Sequence, residues 1–394
     1  MMTIMDYLVW RGDVDFHGAP FNEIDNLILS QIVYLHMEGI VPPPGGGGLP
    51  LYAVWQAYLK ARPDCRSESA DYLERDSAKL MEAMAGSRRF GGCLLSAFDH
   101  EVNRESEIQF AALTVTLDDG STYIAYSGTD TSMVGWKENF NMSFLEEIPS
   151  QERALRYLRD RLGEVRGPLY VGGHSKGGNL AVYAAMHLEA AEQERLTLIF
   201  NNDGPGFTEK MISRRGYQAI RPKLRTFLPQ SSIVGLLMTH DEDYRVVHSS
   251  SIGPFQHDAF TWEVCGPAFV YREELSRSSL VLDKALKVWL DEIDDDRRRQ
   301  FVDALFSIVD KAEIEDTDIL NHLTWAKFTE LIKAADSLSQ EDKDVLTGTV
   351  RKLIHVYLHS DQVVEQLEKQ IRRLPVGKFK KLQMSKKDTK KGNE

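Results

Sequence analysis

From residue 108 to residue 264 the chain alternates short β-rich runs with helical stretches, and this alternation restricts the fold more than any other feature. Residues 108–117 (IQFAALTVTL) and 122–126 (TYIAY) are β-rich, with the hairpin turn signal Asp118-Asp119-Gly120-Ser121 between them. Residues 151–162 have amphipathic helical spacing, 169–172 form a short apolar run, and 179–191 read as a helix. Strand-like runs recur at 196–201 (LTLIFN), 224–228 and 244–248 (YRVVH), with a further β-like stretch at 260–264. Strands spaced by helices need crossover connections, which predicts an α/β layered domain around a mostly parallel sheet.

The flanks read differently. Residues 21–35 (FNEIDNLILSQIVYL) carry apolar residues at helical spacing, with Asn22 placed to cap the helix. Pro42-Pro43-Pro44-Gly45-Gly46-Gly47-Gly48 breaks the structure and is read as a surface loop within one domain rather than a linker. Residues 51–95 read as two or three short helices inserted near the N-terminus. After residue 275 the strand signals stop, and 276–375 is expected to be a helical extension. The last residues, 376–394, are rich in lysine and expected to be a solvated, disordered tail. The α/β domain is thus expected over 1–275.

Composition excludes several classes. The chain has 394 residues, 42% of them hydrophobic, and can bury a sizeable core without staples. Its formal net charge of −12 is a poor match for nucleic acid or an anionic membrane surface. Three scattered cysteines do not make a disulfide framework and fit a reducing compartment. No signal peptide and no apolar run of membrane-spanning length is apparent, so a cytoplasmic protein is expected.

The strongest chemical signal is Gly172-Gly173-His174-Ser175-Lys176-Gly177-Gly178 between an apolar strand and an Ala-rich helix. Gly173, Ser175 and Gly177 make Gly-x-Ser-x-Gly in the strand–turn–helix setting of a nucleophile elbow. The tight turn lifts the serine Oγ above the sheet and brings the Lys176 N–H beside the oxyanion position. The alternative is a glycine-rich turn cradling phosphate, but the Walker spacing is absent.

A serine needs a base, and in this arrangement an acid and then a histidine follow it in the chain. His257, in the loop Gly253-Pro254-Phe255-Gln256-His257-Asp258 after the strand series, is the expected base. His248 is the nearer rival, while His322, His355 and His359 lie in the helical extension. Asp203, at the end of the 196–201 strand, is the expected acid, with Asp241 and Asp243 as rivals and Asp258 too close in sequence to fold back. Thr129, after the 122–126 strand, is the expected second oxyanion donor. A metal hydrolase on His240, His248, His257, Asp241 and Asp243 is disfavoured, because no ligand motif is present. No cofactor and no metal is expected.

These residues resemble the lipase branch of the α/β-hydrolases. Ile124 to Thr129 followed by Trp136 is similar to the oxyanion segment of class 3 lipases, and Gly173 to Gly178 to their elbow. The closer resemblance is to the Mbeg1-like family, a mainly bacterial domain of unknown function with lipase-like character. Phe21 to Asn26, His174 to Leu180, Asn201 to Phe207, and Gln256 to Asp258 before Trp262 carry it, over roughly residues 6–275. It implies an α/β-hydrolase fold and a serine hydrolase apparatus but no substrate.

Two departures stand out. Class 3 lipases place their acid in a segment similar to Pro229-Gln230-Ser231-Ser232-Ile233-Val234, where serines stand here. Asn202-Asp203-Gly204-Pro205 is instead similar to the acid segment of pancreatic-type lipases. Lys176 replaces an aliphatic residue. Its side chain is expected to face solvent, the alternative being a preference for an anionic substrate.

The resulting expectation is a serine hydrolase cleaving a small-molecule ester, thioester or lipid through an acyl-enzyme on Ser175. Acyl transfer is a close variant, and a non-catalytic binding module on the same fold is the alternative. Oligomeric state and acyl chain length are not legible.

Overall fold

A computed structural model of the chain describes residues 1–280 except 69, 131–134, 136, 139–140, 143–146 and 278. It also describes short stretches at 296–298, 300, 303–304, 338–340, 342–345 and 347–348. Apart from those stretches, the expected helical extension and the basic tail lie outside the described residues.

Among the described residues, nine strands form one sheet in the order of their occurrence in the chain. They are β1 (Leu49–Pro50), β2 (Leu94–Asn103), β3 (Ile108–Thr116), β4 (Thr122–Tyr126), β5 (Leu169–His174), β6 (Leu196–Asn202), β7 (Leu224–Pro229), β8 (Tyr244–Val247) and β11 (Tyr271–Arg272). The remaining two, β9 (Val264–Cys265) and β10 (Ala268–Phe269), form a separate ladder. Strands β4 to β8 are mutually parallel, and β1 to β4 and β8 with β11 pair antiparallel. The fold is therefore mixed α/β with a parallel centre, as the alternation predicted.

Sequential strand order has a consequence. Right-handed crossovers between successive parallel neighbours all fall on one face of the sheet. Helices α5 (Pro149–Leu162), α6 (Lys176–Met186) and α9 (Arg215–Ile220) pack there, with the short α7 (Ala190–Glu194) and α8 (Glu209–Ile212) in the same connections. The opposite face needs another cover. Helices α1 (Ile4–Arg11), α2 (Glu23–Ile32), α3 (Leu51–Ala61) and α4 (Tyr72–Ala85) supply it.

The central strands alternate between the two cores. Ala111, Leu113 and Val115 of β3 join the N-terminal helices, while Phe110 and Ala112 join the crossover helices. In β4, Tyr123 and Ala125 face one way and Ile124 and Tyr126 the other. A strand buried on both faces reads as a mostly apolar run, and IQFAALTVTL is interrupted only by Gln109, Thr114 and Thr116. Each such side chain contributes roughly 1.5–3 kcal/mol on burial.

Helix α2 begins where expected. The Asn22 side chain accepts from the Ile24 and Asp25 N–H groups, and the Asp25 carboxylate accepts from the Asn22 N–H in return. The other Asp25 oxygen meets the Arg89 guanidinium, whose second nitrogen also reaches the carboxylate (2.8 and 2.6 Å), and both side chains are fully buried. Arg89 also donates to the carbonyls of Val14 and Ala19, which fastens the turn between α1 and α2.

The longest strand to escape the sequence reading is β2. Helical structure was expected up to residue 95 and strands only from 108, whereas β2 starts at Leu94. Its register shifts between Ser96 and Asp99, and Ala97 has φ +52°. A bulge breaks period-two patterning, and Asp99, His100 and Glu101 make the second half polar. The Pro-Gly stretch is an exposed loop leading into β1, as expected. Cys65, Cys93 and Cys265 are free thiols. Among the described residues no helix is long and apolar enough to cross a membrane.

Candidate active site

Parallel strands present their carboxyl ends on one edge, where side chains from several connections meet. Ser175 follows β5, Asp203 follows β6, Ser232 follows β7, and His257 lies beyond β8.

Ser175 sits at φ +58° and ψ −132°, in backbone space that L-residues avoid, immediately before the first residue of α6. The helix therefore starts at Lys176 rather than at residue 179. Flanking glycines make the turn possible. A Cβ on Gly177 would lie 2.1 Å from the Tyr126 carbonyl oxygen, and one on Gly173 would lie 2.3 Å from the Gly177 carbonyl carbon. The Ser175 N–H donates to the Asn202 carbonyl (2.9 Å), tying the turn to the end of β6.

Asp203 is fully buried and also has positive φ, +55°. Its Oδ2 accepts from His257 Nδ1 at 2.6 Å, and its Oδ1 accepts from Ser232 Oγ at 2.5 Å. A carboxylate only accepts, so Nδ1 of His257 carries a proton, and in the neutral ring Nε2 is the acceptor. The structure thus brings Asp203 and His257 together from 54 residues apart.

The histidine ring is located from below by His174. Its Nε2–H donates to the His257 carbonyl (2.8 Å), and its Nδ1 accepts from the Tyr34 hydroxyl (3.1 Å). The two imidazole centroids are 4.7 Å apart. Burial, and then the neighbouring His257, push the His174 imidazole down to about 3, so it is neutral and fixed as this tautomer. Among the described residues Ser175 Oγ makes no hydrogen bond, to His257 Nε2 or to any other group. Such contacts are often open in unliganded sites and tighten with substrate.

The Thr129 hydroxyl is buried without a hydrogen-bond partner among the described residues. Its loop approaches the serine closely: a Cβ on Gly128 would come within 3.1 Å of the Ser175 Cβ and 2.0 Å of the Tyr34 hydroxyl. The Lys176 N–H, as the first of α6, has no partner within the helix.

The Lys176 side chain does not face solvent. It is fully buried, and its Nζ donates to Glu138 (2.7 Å) and to the backbone and side-chain oxygens of Gln109 (2.6 and 2.5 Å). Glu138 accepts in addition from the Ser150 and Gln109 N–H groups. Gln109 Nε2 reaches the Gly128 carbonyl at 3.3 Å. The ammonium is thus the hub that joins α6, β3, the Glu138 helix turn and the Gly128-Thr129 peptide. An isolated buried ammonium is prohibitive, so the residue could face inward only because Glu138 meets it there.

Rival residues lie elsewhere. Asp241 pairs with Arg221 (3.5 Å), Asp243 is exposed, and Asp258 caps the turn at Phe260. His248 pairs with Glu263 (2.5 Å). His240 bonds Glu242 and the Gly235 carbonyl. Burial would raise the Glu242 carboxyl, but His240, Thr226 and Tyr217 hold it down to about 2.

The sequence model of the family described as Mbeg1-like matches residues 84–307, more than half of the 394-residue chain. The chain belongs to the Mbeg1-like family. Comparison with curated proteins gives no match. The Mbeg1-like match spans Thr129, Ser175, Asp203, Ser232 and His257, but Tyr34 and the whole of α1 to α3 precede it.

Five contributors went unread in the sequence. Ser232 was visible as a serine standing where class 3 lipases carry an acid. Glu138 was signalled only by being the partner a buried lysine demands. Tyr34 left no signal, and His174, though part of the elbow motif, carried nothing that marked its bonds to Tyr34 and to the His257 carbonyl. Asn202 joins them: its amide donates to the Gly173 carbonyl (3.0 Å) and pairs with Asn26 of α2 (2.9 Å), bracing the turn against the N-terminal layer.

Proposed function

We propose that the protein is a serine hydrolase of the α/β-hydrolase, lipase-like type, cleaving a carboxylic ester or thioester. The observation that carries this reading is the 2.6 Å bond from His257 Nδ1 to the buried Asp203, beside a serine held at φ +58° after a parallel strand. His257 Nε2 takes the proton of Ser175 Oγ as the oxygen attacks the carbonyl. Asp203 holds the ring and stabilises the imidazolium. The N–H groups of Lys176 and Thr129, with the unpartnered Thr129 hydroxyl, receive the oxyanion. The imidazolium returns its proton to the leaving group, and water then releases the acyl group from Ser175. Ile252 and Phe255, 79% and 68% exposed just ahead of His257, give the rim an apolar edge suited to an acyl chain.

A non-catalytic binding module is favoured by one observation, that among the described residues Ser175 Oγ and His257 Nε2 make no hydrogen bond. Fluorophosphonate labelling separates the two readings, together with hydrolysis of p-nitrophenyl esters from acetate to palmitate. Labelling of the wild type, lost in Ser175→Ala, is expected, with turnover reduced ~10³-fold or more in His257→Ala and Asp203→Asn. A folded wild type whose serine neither labels nor turns over any ester would overturn the hydrolase reading.

A further inference from the structure

A second constellation lies away from the serine and serves nothing in the hydrolase reading. His36 and Glu38 are on the segment leaving α2, and His100 is on β2. One ligand atom from each of the three lies within 4.8 Å of the other two. Glu38 Oε1 touches His100 Nδ1 and is 3.9 Å from His36 Nδ1. The two imidazoles stand 5.3 Å apart at 78°, so their nitrogens converge on one carboxylate.

The bulge in β2 makes the convergence possible. Leu95 faces the N-terminal helices, and regular alternation would send residues 97, 99 and 101 to that same face. The register shift at Ala97 reverses the parity. Phe98 joins the N-terminal core instead, and His100 follows it towards the His36 segment. Asp99 and Glu101 turn to the opposite face, where Arg153 of α5 pairs with both. The Phe98 N–H donates to the Pro42 carbonyl (3.1 Å), which fastens the segment bearing His36 and Glu38 to β2. Two elements far apart in sequence are therefore locked together where the three ligands meet.

We infer that His36, Glu38 and His100 form a binding site for a divalent transition metal of the zinc class. Two imidazoles and one carboxylate are a borderline donor set that suits Zn²⁺ and discriminates against Ca²⁺ and Mg²⁺. Bonds of about 2.1 Å would set neighbouring ligand atoms about 3.4 Å apart in a tetrahedron, so an ion would open the Glu38–His100 contact and draw in the 3.9 Å Glu38–His36 pair. The His36 and Glu38 side chains are 39% and 46% exposed, so the ion has an entry path and a fourth position open to water. Arg62, the cation that acts on His36, is itself engaged by Glu74 at 3.0 Å. The site stands two residues from Tyr34, which supports His174, so a bound ion would also stiffen the segment behind the candidate active site. The inference does not depend on the hydrolase reading.

The test uses the full chain stripped with a chelator and titrated with Co²⁺, whose visible bands report tetrahedral nitrogen and oxygen ligation. One equivalent is expected to bind and to be displaced by Zn²⁺. His100→Ala and His36→Ala should lose the bands and Glu38→Gln weaken binding at least ~10-fold, while Ser175→Ala binds like the wild type. Circular dichroism checks that the variants fold. Wild type that develops no bands at micromolar protein with equimolar metal overturns the assignment. So does binding that survives unchanged in both folded histidine variants.

Discussion

Replacing Lys176 by methionine is the sharpest test of how this site is built. Methionine fills nearly the same volume, so the change removes the charge and little else. If the ammonium faced water, the effect would stay within about ±0.5 kcal/mol. In the structure both Lys176 and Glu138 are fully buried, and the substitution strands a carboxylate whose remaining donors are two backbone N–H groups. Breaking a buried pair on one side costs about 3–5 kcal/mol. For a cooperative unit of about 280 residues, unfolding entropy near 2.1 cal/mol/K per residue converts that into a fall in Tm of about 5–8 °C. Urea unfolding of Lys176→Met, Glu138→Gln and the double variant measures it. The double variant removes the stranded charge and should lose only about 1–3 kcal/mol, giving a coupling energy of about 2 kcal/mol or more. A loss below 1 kcal/mol in Lys176→Met, or strict additivity in the double variant, would refute the argument.

Three further outcomes follow from the same geometry. Ser232→Ala removes one donor to the Asp203 carboxylate; a hydrogen bond to a charged group is worth about 1.5–3 kcal/mol, so kcat for ester hydrolysis should fall ~10–100-fold with KM little changed. Unchanged kcat would mean that Asp203 needs no second donor. His174, neutral and held down to about 3 against an ordinary 6.5, makes the unfolded chain bind the extra proton between those values. Its contribution is intact above pH 6.5 and declines as pH falls, by up to ~1.4 kcal/mol per unit, so the stability difference between wild type and His174→Asn should shrink or reverse between pH 6.5 and 4. A pH-independent difference would sink that account. Gly177→Ala should fail to accumulate as folded protein or lose serine reactivity, since its Cβ would stand 2.1 Å from the Tyr126 carbonyl oxygen; full labelling by fluorophosphonate in a folded Gly177→Ala would contradict the elbow geometry.

Much of the architecture was legible because period and punctuation are local. The β-rich runs of β3 and β4 marked strands, and Asn22 marked the start of α2. Gly173 and Gly177 marked a turn that tolerates no side chains. Asp203 and His257 could be nominated because each follows a strand, and carboxyl ends of parallel strands share an edge. Strand β2 was lost because a bulge erases the period on which strand recognition rests. Lys176 was misread because a lysine is almost always exposed, and the exception depends on Glu138, 38 residues away.

The chain by itself determined the α/β layering, the strained serine turn and the identity of the two residues now joined at 2.6 Å. Those features follow from backbone sterics and hydrophobic periodicity, which act over a few residues. Only the tertiary structure decided which side chains complete the shell. Ser232 on Asp203, His174 and Tyr34 behind His257, Glu138 against Lys176, and His36 and Glu38 facing His100 each join elements distant in sequence. Hydrogen bonds and ion pairs of this kind need donor and acceptor within about 3 Å at a set angle, and that condition leaves no periodic trace along the chain.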